Sequence, residues 1–245
     1  MFKKLSIAAA VIAAPLMLST PAHAIGVALE LQLLVDTSGS VSTSEYNTQK
    51  GGYEAAFRNA GIIAAITALA PQGGVAVQYI EWSSSNQQSV RVDWTQITDA
   101  ASANSFADDL AAVTRAFSGS TGVAAAINYG TPLFNGNGFE GSRLVMDVSG
   151  DGSDNQGGNT PAARDAAVAA GITINGLAIG GVDAWYSANV IGGGGFLESA
   201  ATFADFEDAV IRKIGREVTP TPEPGTLALL GLGLVGLGLG RRRKA

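Results

Sequence analysis

The sequence predicts an α/β protein built on a doubly wound, mostly parallel sheet with one antiparallel edge strand. Three observations predict it. Apolar-rich runs at residues 31–35, Val75–Trp82, 144–148 and Ile172–Ile179 each stop at a polar or glycine-containing turn, as strands covered on both faces do. Helix-like segments separate these runs in the alternating order of βα units. One further segment, 88–94, alternates strictly, with Val90, Val92 and Trp94 on one side and Arg91 and Asp93 on the other. Coming straight after a short polar loop, it reads as an antiparallel edge strand.

The elements follow in order. The first buried strand runs into Asp36-Thr37-Ser38-Gly39-Ser40, and Ser42 with Glu45 forms a capping box that starts a helix through about residue 59. Tyr46, Tyr53, Ala56, Phe57 and Ala60 give that helix one apolar side, and Gly51 and Gly52 weaken it. A short helical piece at 62–69 stops before Pro71 and the turn that precedes Val75–Trp82. After the alternating strand, residues 99–117 read as an alanine-rich amphipathic helix, 118–122 as a loop and 123–129 as another helix. The strand at 144–148 ends in the polar turn 149–155, where Asp154 reads as solvated. A helix at 160–170 leads to Ile172–Ile179. Residues 190–196 (VIGGGGF) are too glycine-rich for regular structure, and 203–217 closes the unit as a helix carrying Phe206, Val210, Ile211 and Ile214.

Both ends of the 245-residue chain read as targeting segments. Residues 1–24 pair Lys3 and Lys4 with an apolar stretch and end Ala22-His23-Ala24, the form of a cleavable signal peptide. Residues 219–245 hold a proline-rich linker, a short glycine-containing apolar stretch and a basic cluster from Arg241 to Lys244. Those basic residues would keep the C-terminus cytoplasmic. The tail resembles the PEP-CTERM sorting signal of Gram-negative bacteria, through Pro222-Glu223-Pro224, the membrane stretch and the arginine-rich end. That resemblance implies transient inner-membrane association and processing by an exosortase, with release towards the envelope, surface or extracellular matrix. Residues 25–218 are long enough for one domain with a full core.

Composition excludes several functions. Nine of the 15 basic residues and 20 of the 21 acidic ones fall within residues 25–218, a net of −11. Nucleic acid calls for a basic face, so this charge argues against it as a partner. The chain has no Cys, and its only His, His23, lies in the signal peptide. A Ser-His-Asp triad, a Cys-His pair and a His-ligated zinc site are therefore ruled out. Asp36-Thr37-Ser38-Gly39 is interrupted relative to the aspartic-protease triplet, and no second triplet supplies the partner carboxylate. A haloacid-dehalogenase-type site would need an acid where Ser38 stands.

What remains is a set of oxygens. Asp36, Ser38 and Ser40 sit at the carboxyl end of a buried parallel strand, where open α/β sheets bind ligands. One acid and two hydroxyls in a tight turn suit a hard divalent cation; a capped polar turn is the plainer alternative. Asp-x-Ser-x-Ser in this setting resembles the metal-ion-dependent adhesion site (MIDAS) of the von Willebrand factor A family, and the similarity extends over residues 25–218, to a bacterial branch of that family. The resemblance implies that Thr121 and Asp151 complete the site, although Ala124 stands where many members carry glycine. It implies a bound Mg²⁺, with Mn²⁺ or Ca²⁺ as substitutes, whose open position takes a carboxylate from a protein or matrix ligand. The expected function is exported, non-enzymatic adhesion at the cell surface. The alternatives are a structural matrix protein whose metal site is vestigial or only stabilising, and a metal-dependent hydrolase.

Overall fold

The computed structural model describes residues 24–219. Residues 1–23 of the expected signal peptide and the expected membrane stretch of the tail lie outside the described residues. Among the described residues no helix is long and apolar enough to cross a membrane.

In chain order the elements are β1 (Ile25–Val27), β2 (Leu29–Asp36), α1 (Thr43–Arg58), α2 (Ala60–Ala68), β3 (Val75–Trp82), β4 (Gln88–Ile97), α3 (Ala100–Ala112) and α4 (Val123–Gly130). They continue as β5 (Phe139–Gly141), β6 (Leu144–Gly150), α5 (Thr160–Ala169), β7 (Ile172–Ile179), α6 (Asp183–Asn189), β8 (Leu197–Ala200) and α7 (Phe206–Val218). Six strands form the main sheet in the order β4-β3-β2-β6-β7-β8. All its neighbours are parallel except β3 and β4, so the alternating strand is the antiparallel edge. β1 and β5 form a separate parallel pair.

β2 is the centre. It pairs with β3 on one side and β6 on the other, and all eight of its residues are buried. Its side chains alternate between two cores. Leu29, Leu31, Leu33 and Val35 join Tyr53, Phe57, Phe106, Phe206 and Ile214 under α1, α3 and α7. Leu34 joins Ile80, Trp82, Ile127, Met146 and Tyr186 under α4, α5 and α6. Two polar members of β2 find partners inside: Glu30 accepts from Gly141 N–H and Asn137 Nδ2, both at 2.6 Å, and Gln32 Nε2 donates to Gln78 Oε1 at 2.9 Å.

Two readings of the sequence need correction. The helix expected over 99–117 ends at Ala112. Val113 turns to extended backbone because the next residues have other partners: Ala116 N–H donates to the buried Glu81 carboxylate at 2.7 Å, and Arg115 reaches back to the loop after β2. Asp154 is not merely solvated, since it accepts from Ala124 N–H at 2.9 Å at the start of α4 and from Gln156 N–H at 3.0 Å. The glycine-rich segment 190–196 is irregular apart from one bridge, Ile174 to Gly192. Gly195 is needed there, because a Cβ would collide with the Ile174 carbonyl.

Candidate metal centre

Strand order creates the crevice. The chain leaves β2 towards β3 on one side, whereas β6 lies on the other. The loops following β2 and β6 diverge at this switch point, where doubly wound sheets bind ligands. Asp36 ends β2, and Asp151 directly follows β6.

Backbone bonds fix the first loop. Thr37 N–H and Oγ1 both donate to Trp82 O, at 2.8 and 3.1 Å. Ser38 N–H donates to Asp36 Oδ1 at 2.7 Å, closing an Asx-type turn. Arg115 Nη2 donates to the carbonyls of Thr37, Ser38 and Val41 at 2.7–2.8 Å. Gln49 Nε2 donates to Asp36 O at 2.9 Å. The predicted capping box is present, with Ser42 N–H on Glu45 Oε2 at 2.8 Å and Glu45 N–H on Ser42 Oγ at 3.3 Å. Arg115 was not legible as a site residue, since it sat inside an expected helix. Arg115→Ala is expected to lower the unfolding free energy by about 2 kcal/mol, as three charge-assisted bonds are lost together. Chemical denaturation would measure it.

The second loop is stitched to the β3–β4 connection. Gly119 N–H donates to Ser83 Oγ at 2.7 Å, Ser120 N–H to Ser84 Oγ at 2.8 Å, and Gly122 N–H to Ser83 O at 2.8 Å. The third loop locks onto the second: Thr121 N–H donates to Asn155 Oδ1 at 3.0 Å and Asn155 N–H to Thr121 O at 2.9 Å. Together with the Asp154–Ala124 bond, this holds Thr121 in the crevice despite the methyl of Ala124.

These three loops bring all five residues into one cluster. Ser40 Oγ donates to Asp151 Oδ1 at 2.7 Å, Ser38 Oγ lies 3.1 Å from Ser40 Oγ, and Thr121 Oγ1 donates to Ser38 Oγ at 3.4 Å. Asp36 and Ser38 are fully buried, Thr121 is 5% exposed, and Ser40 opens to solvent. Asp36 Oδ2 is buried and finds no hydrogen-bond partner among the described residues. Burial pushes the Asp36 carboxyl up to about 7; bonds from Ser38 pull it back, and the charge of Asp151 adds to the rise. Tyr186 of α6 is also buried with an unpartnered hydroxyl. A Cβ on Gly150 would strike that hydroxyl and come within 2.8 Å of Asp36 Oδ2, so the position has room only for glycine.

Two carboxylates and three hydroxyls make an all-oxygen donor set of the kind hard cations take. The unpartnered Asp36 oxygen fits such an ion, because a buried carboxylate is stable only when paired or coordinated. Among the described residues no group of three or more His, Cys, Asp or Glu side chains is placed to hold a metal. The hydroxyls are therefore essential to any metal-binding role here.

A doubly wound sheet with Asp-x-Ser-x-Ser opening its central crevice has the fold of a von Willebrand A domain. Residues 26–222 match the family described as "Protein of unknown function (DUF1194)", and the chain belongs to that family. Residues 220–244 match the PEP-CTERM protein-sorting motif. No curated protein matches the chain. Among solved structures, proximal thread matrix protein 1 from the mussel byssus aligns at 12% identity and a TM-score of 0.59, over 78% of this chain and 48% of that one. A second structure of that protein, described with a zinc-occupied MIDAS motif, aligns at 10% identity and 0.57, over 78% and 46%. A von Willebrand factor type A protein from Catenulispora acidiphila aligns at 13% and 0.55, over 79% and 43%. The pilus adhesin SpaC from Lactobacillus rhamnosus GG aligns at 15% and 0.56, over 78% and 30%. The chain spans less than half the length of each, and at these identities the likeness is one of fold.

Proposed function

We propose that this protein is an exported binding protein of the cell envelope or extracellular matrix, which engages a partner through a divalent cation held by Asp36, Ser38, Ser40, Thr121 and Asp151. The observation that carries the reading is the buried, unpartnered Asp36 oxygen beneath a row of hydroxyls at the switch point. Ser38, Ser40 and Thr121 would offer neutral oxygens, and Asp36 and Asp151 the negative charge. Mg²⁺ dehydrates reluctantly, so part of its shell would stay as water. With few direct carboxylates the ion stays electrophilic, and an acidic group on a protein or matrix ligand completes its shell. Residues 25–218 contain no imidazole or thiol to act as a base, which favours binding over turnover. The zinc-occupied MIDAS motif of the byssal protein supports a divalent cation here, and the adhesin SpaC supports a protein ligand.

In this reading residues 1–24 are a signal peptide, 25–218 the binding domain and 219–245 the sorting tail. The PEP-CTERM match supports export through the inner membrane of a Gram-negative bacterium and processing by an exosortase. One observation favours a second reading. The bonds among Ser38, Ser40 and Asp151 already join two loops, so an ion here could serve the fold of a structural matrix protein alone.

Calorimetric titration of Mg²⁺ into wild type and Asp36→Ala tests the site, with Mn²⁺ and Ca²⁺ compared in turn. One saturable site in wild type and none in the variant is the expected result; equal behaviour would refute it. Capture of matrix components with and without chelator separates the two readings, because a stabilising ion changes melting but not capture.

A further inference from the structure

On the α7 side of the sheet, away from the crevice, lies a second group of reactive side chains. Lys213 of α7 and Asp147 of β6 are fully buried, Glu217 is 2% exposed and Asn175 of β7 is 3% exposed. Lys213 Nζ is in ion-pair contact with Asp147 Oδ1 and lies 2.6 Å from Glu217 Oε1. Asn175 Nδ2 donates to the same Glu217 oxygen at 2.8 Å and so aims it. Among the described residues no hydrogen-bond donor besides Lys213 reaches Asp147, and Glu217 Oε2 is unpartnered. The Phe196 ring, 5.8 Å from Nζ, covers the lysine, and Tyr53 turns its hydroxyl to Ser149 Oγ. Arg143 spends a guanidinium N–H on the Glu217 carbonyl.

The arrangement is more than an ion pair. One cation faces two carboxylates, so the fully ionised cluster would hold an uncompensated negative charge in the core. A proton on one acid removes that charge. Burial pushes Asp147 up to about 7, with Lys213 opposing and Glu217 adding to the rise. Lys213, Asp147 and Glu217 then stand as an amine source, a neutral carboxylic acid and a second carboxyl group in contact with the amine.

We infer that Lys213 and Asp147 become joined by an intramolecular isopeptide bond, with Glu217 as the proton acceptor. Glu217 takes one proton from the Lys213 ammonium, and Nζ attacks Asp147 Cγ. The C–N bond forms, the bond from Cγ to the acid's hydroxyl oxygen breaks, and that hydroxyl leaves with a second proton from Nζ as water. Glu217 ends as the neutral acid. No electrons are transferred to or from an outside reagent. Fixed proximity drives the step, since held groups react as though at effective concentrations on the order of 10⁵–10⁸ M. The product has no formal charge in the core. It ties the sheet to the last helix in a chain that has no cysteine for a disulfide.

The test is tandem mass spectrometry on tryptic peptides of the purified full chain, digested after denaturation. The expected product is a branched peptide joining the Asp147 and Lys213 segments, lighter than their sum by one water and uncleaved at Lys213. Asp147→Asn is expected to give the same branch with loss of ammonia, and Glu217→Gln to give separate peptides. Unmodified Asp147 and Lys213 peptides from folded wild type would overturn the inference. So would a water loss mapping only to Asp151-Gly152, the signature of a succinimide. A branch that persists in Glu217→Gln would overturn the role given to Glu217.

Discussion

Replacing Lys213 by Met is expected to destabilise the protein by about 3–5 kcal/mol relative to the unjoined ion pair, the range for removing one partner from a buried charge pair. The loss is larger relative to protein carrying the inferred Lys213–Asp147 bond, which the variant cannot form. The side chain is fully enclosed between α7 and the sheet, and it is the cation that faces both Asp147 and Glu217. Without it, Asp147 must bind a proton or remain charged among Tyr53, Phe196 and Asn175. The double variant Lys213→Met/Asp147→Leu removes cation and carboxylate together, leaving Glu217 with its Asn175 donor. It is expected to recover part of the loss, because apolar replacement of a whole pair is far less harmful than breaking it. Urea midpoints of wild type and both variants measure this. A single variant as stable as wild type would mean that neither the charge pair nor a bond formed from it holds the fold together.

Metal-free protein is expected to lose stability as pH rises from about 4 to about 7, by about 2–4 kcal/mol through Asp36 alone. The sign follows from burial. Asp36 titrates near 3.8 when exposed and at about 7 in the fold. Between those values the folded state holds a proton that the unfolded state has released, so raising the pH favours unfolding. The contribution is complete below the lower value and gone above the upper one. Asp147 moves the same way wherever it is not joined to Lys213, so the informative quantity is the difference between wild type and Asp36→Asn. Without metal the variant should be the more stable of the two at pH 8 and hold no advantage at pH 4. Mg²⁺ at pH 8 should raise the melting temperature of wild type and leave the variant unmoved. A difference between the two proteins that is independent of pH would place the Asp36 proton elsewhere.

Much of the sheet was legible because buried parallel strands declare themselves. β3 and β7 begin and end where the apolar runs do, and the alternation of Val90, Val92 and Trp94 identified the antiparallel edge. α6 and β8 were not legible. α6 buries one residue, Tyr186, and β8 is four residues long, LESA, with no run or period to detect. The end of α3 was misread because local pattern favoured helix while Glu81, 35 residues away, claimed the Ala116 amide. Asp36, Ser38 and Ser40 were readable from one turn, since spacing alone places them together. Thr121 and Asp151 came from family resemblance, and the Asn155 bond that fixes Thr121 is a long-range contact. In the sequence Asp147 shows only as an acid within a strand, either paired or facing an edge. Its partner lies 66 residues further on, in a helix whose pattern showed only an apolar face.

The separate β1–β5 pair orients the molecule. Ile25 N–H bonds to Gly138 O and Ser142 N–H to Val27 O, so the domain's first residues sit where β2 and β6 begin. Arg143, just before β6, bonds to the carbonyl of Glu217, so α7 finishes at the same pole. Asp36 and Asp151 lie at the other pole, where those strands end. The chain therefore enters and leaves through one pole and keeps its oxygen cluster at the other. A surface that grips the domain by its exit leaves the cluster pointing away from itself, with the full height of the sheet as the stand-off.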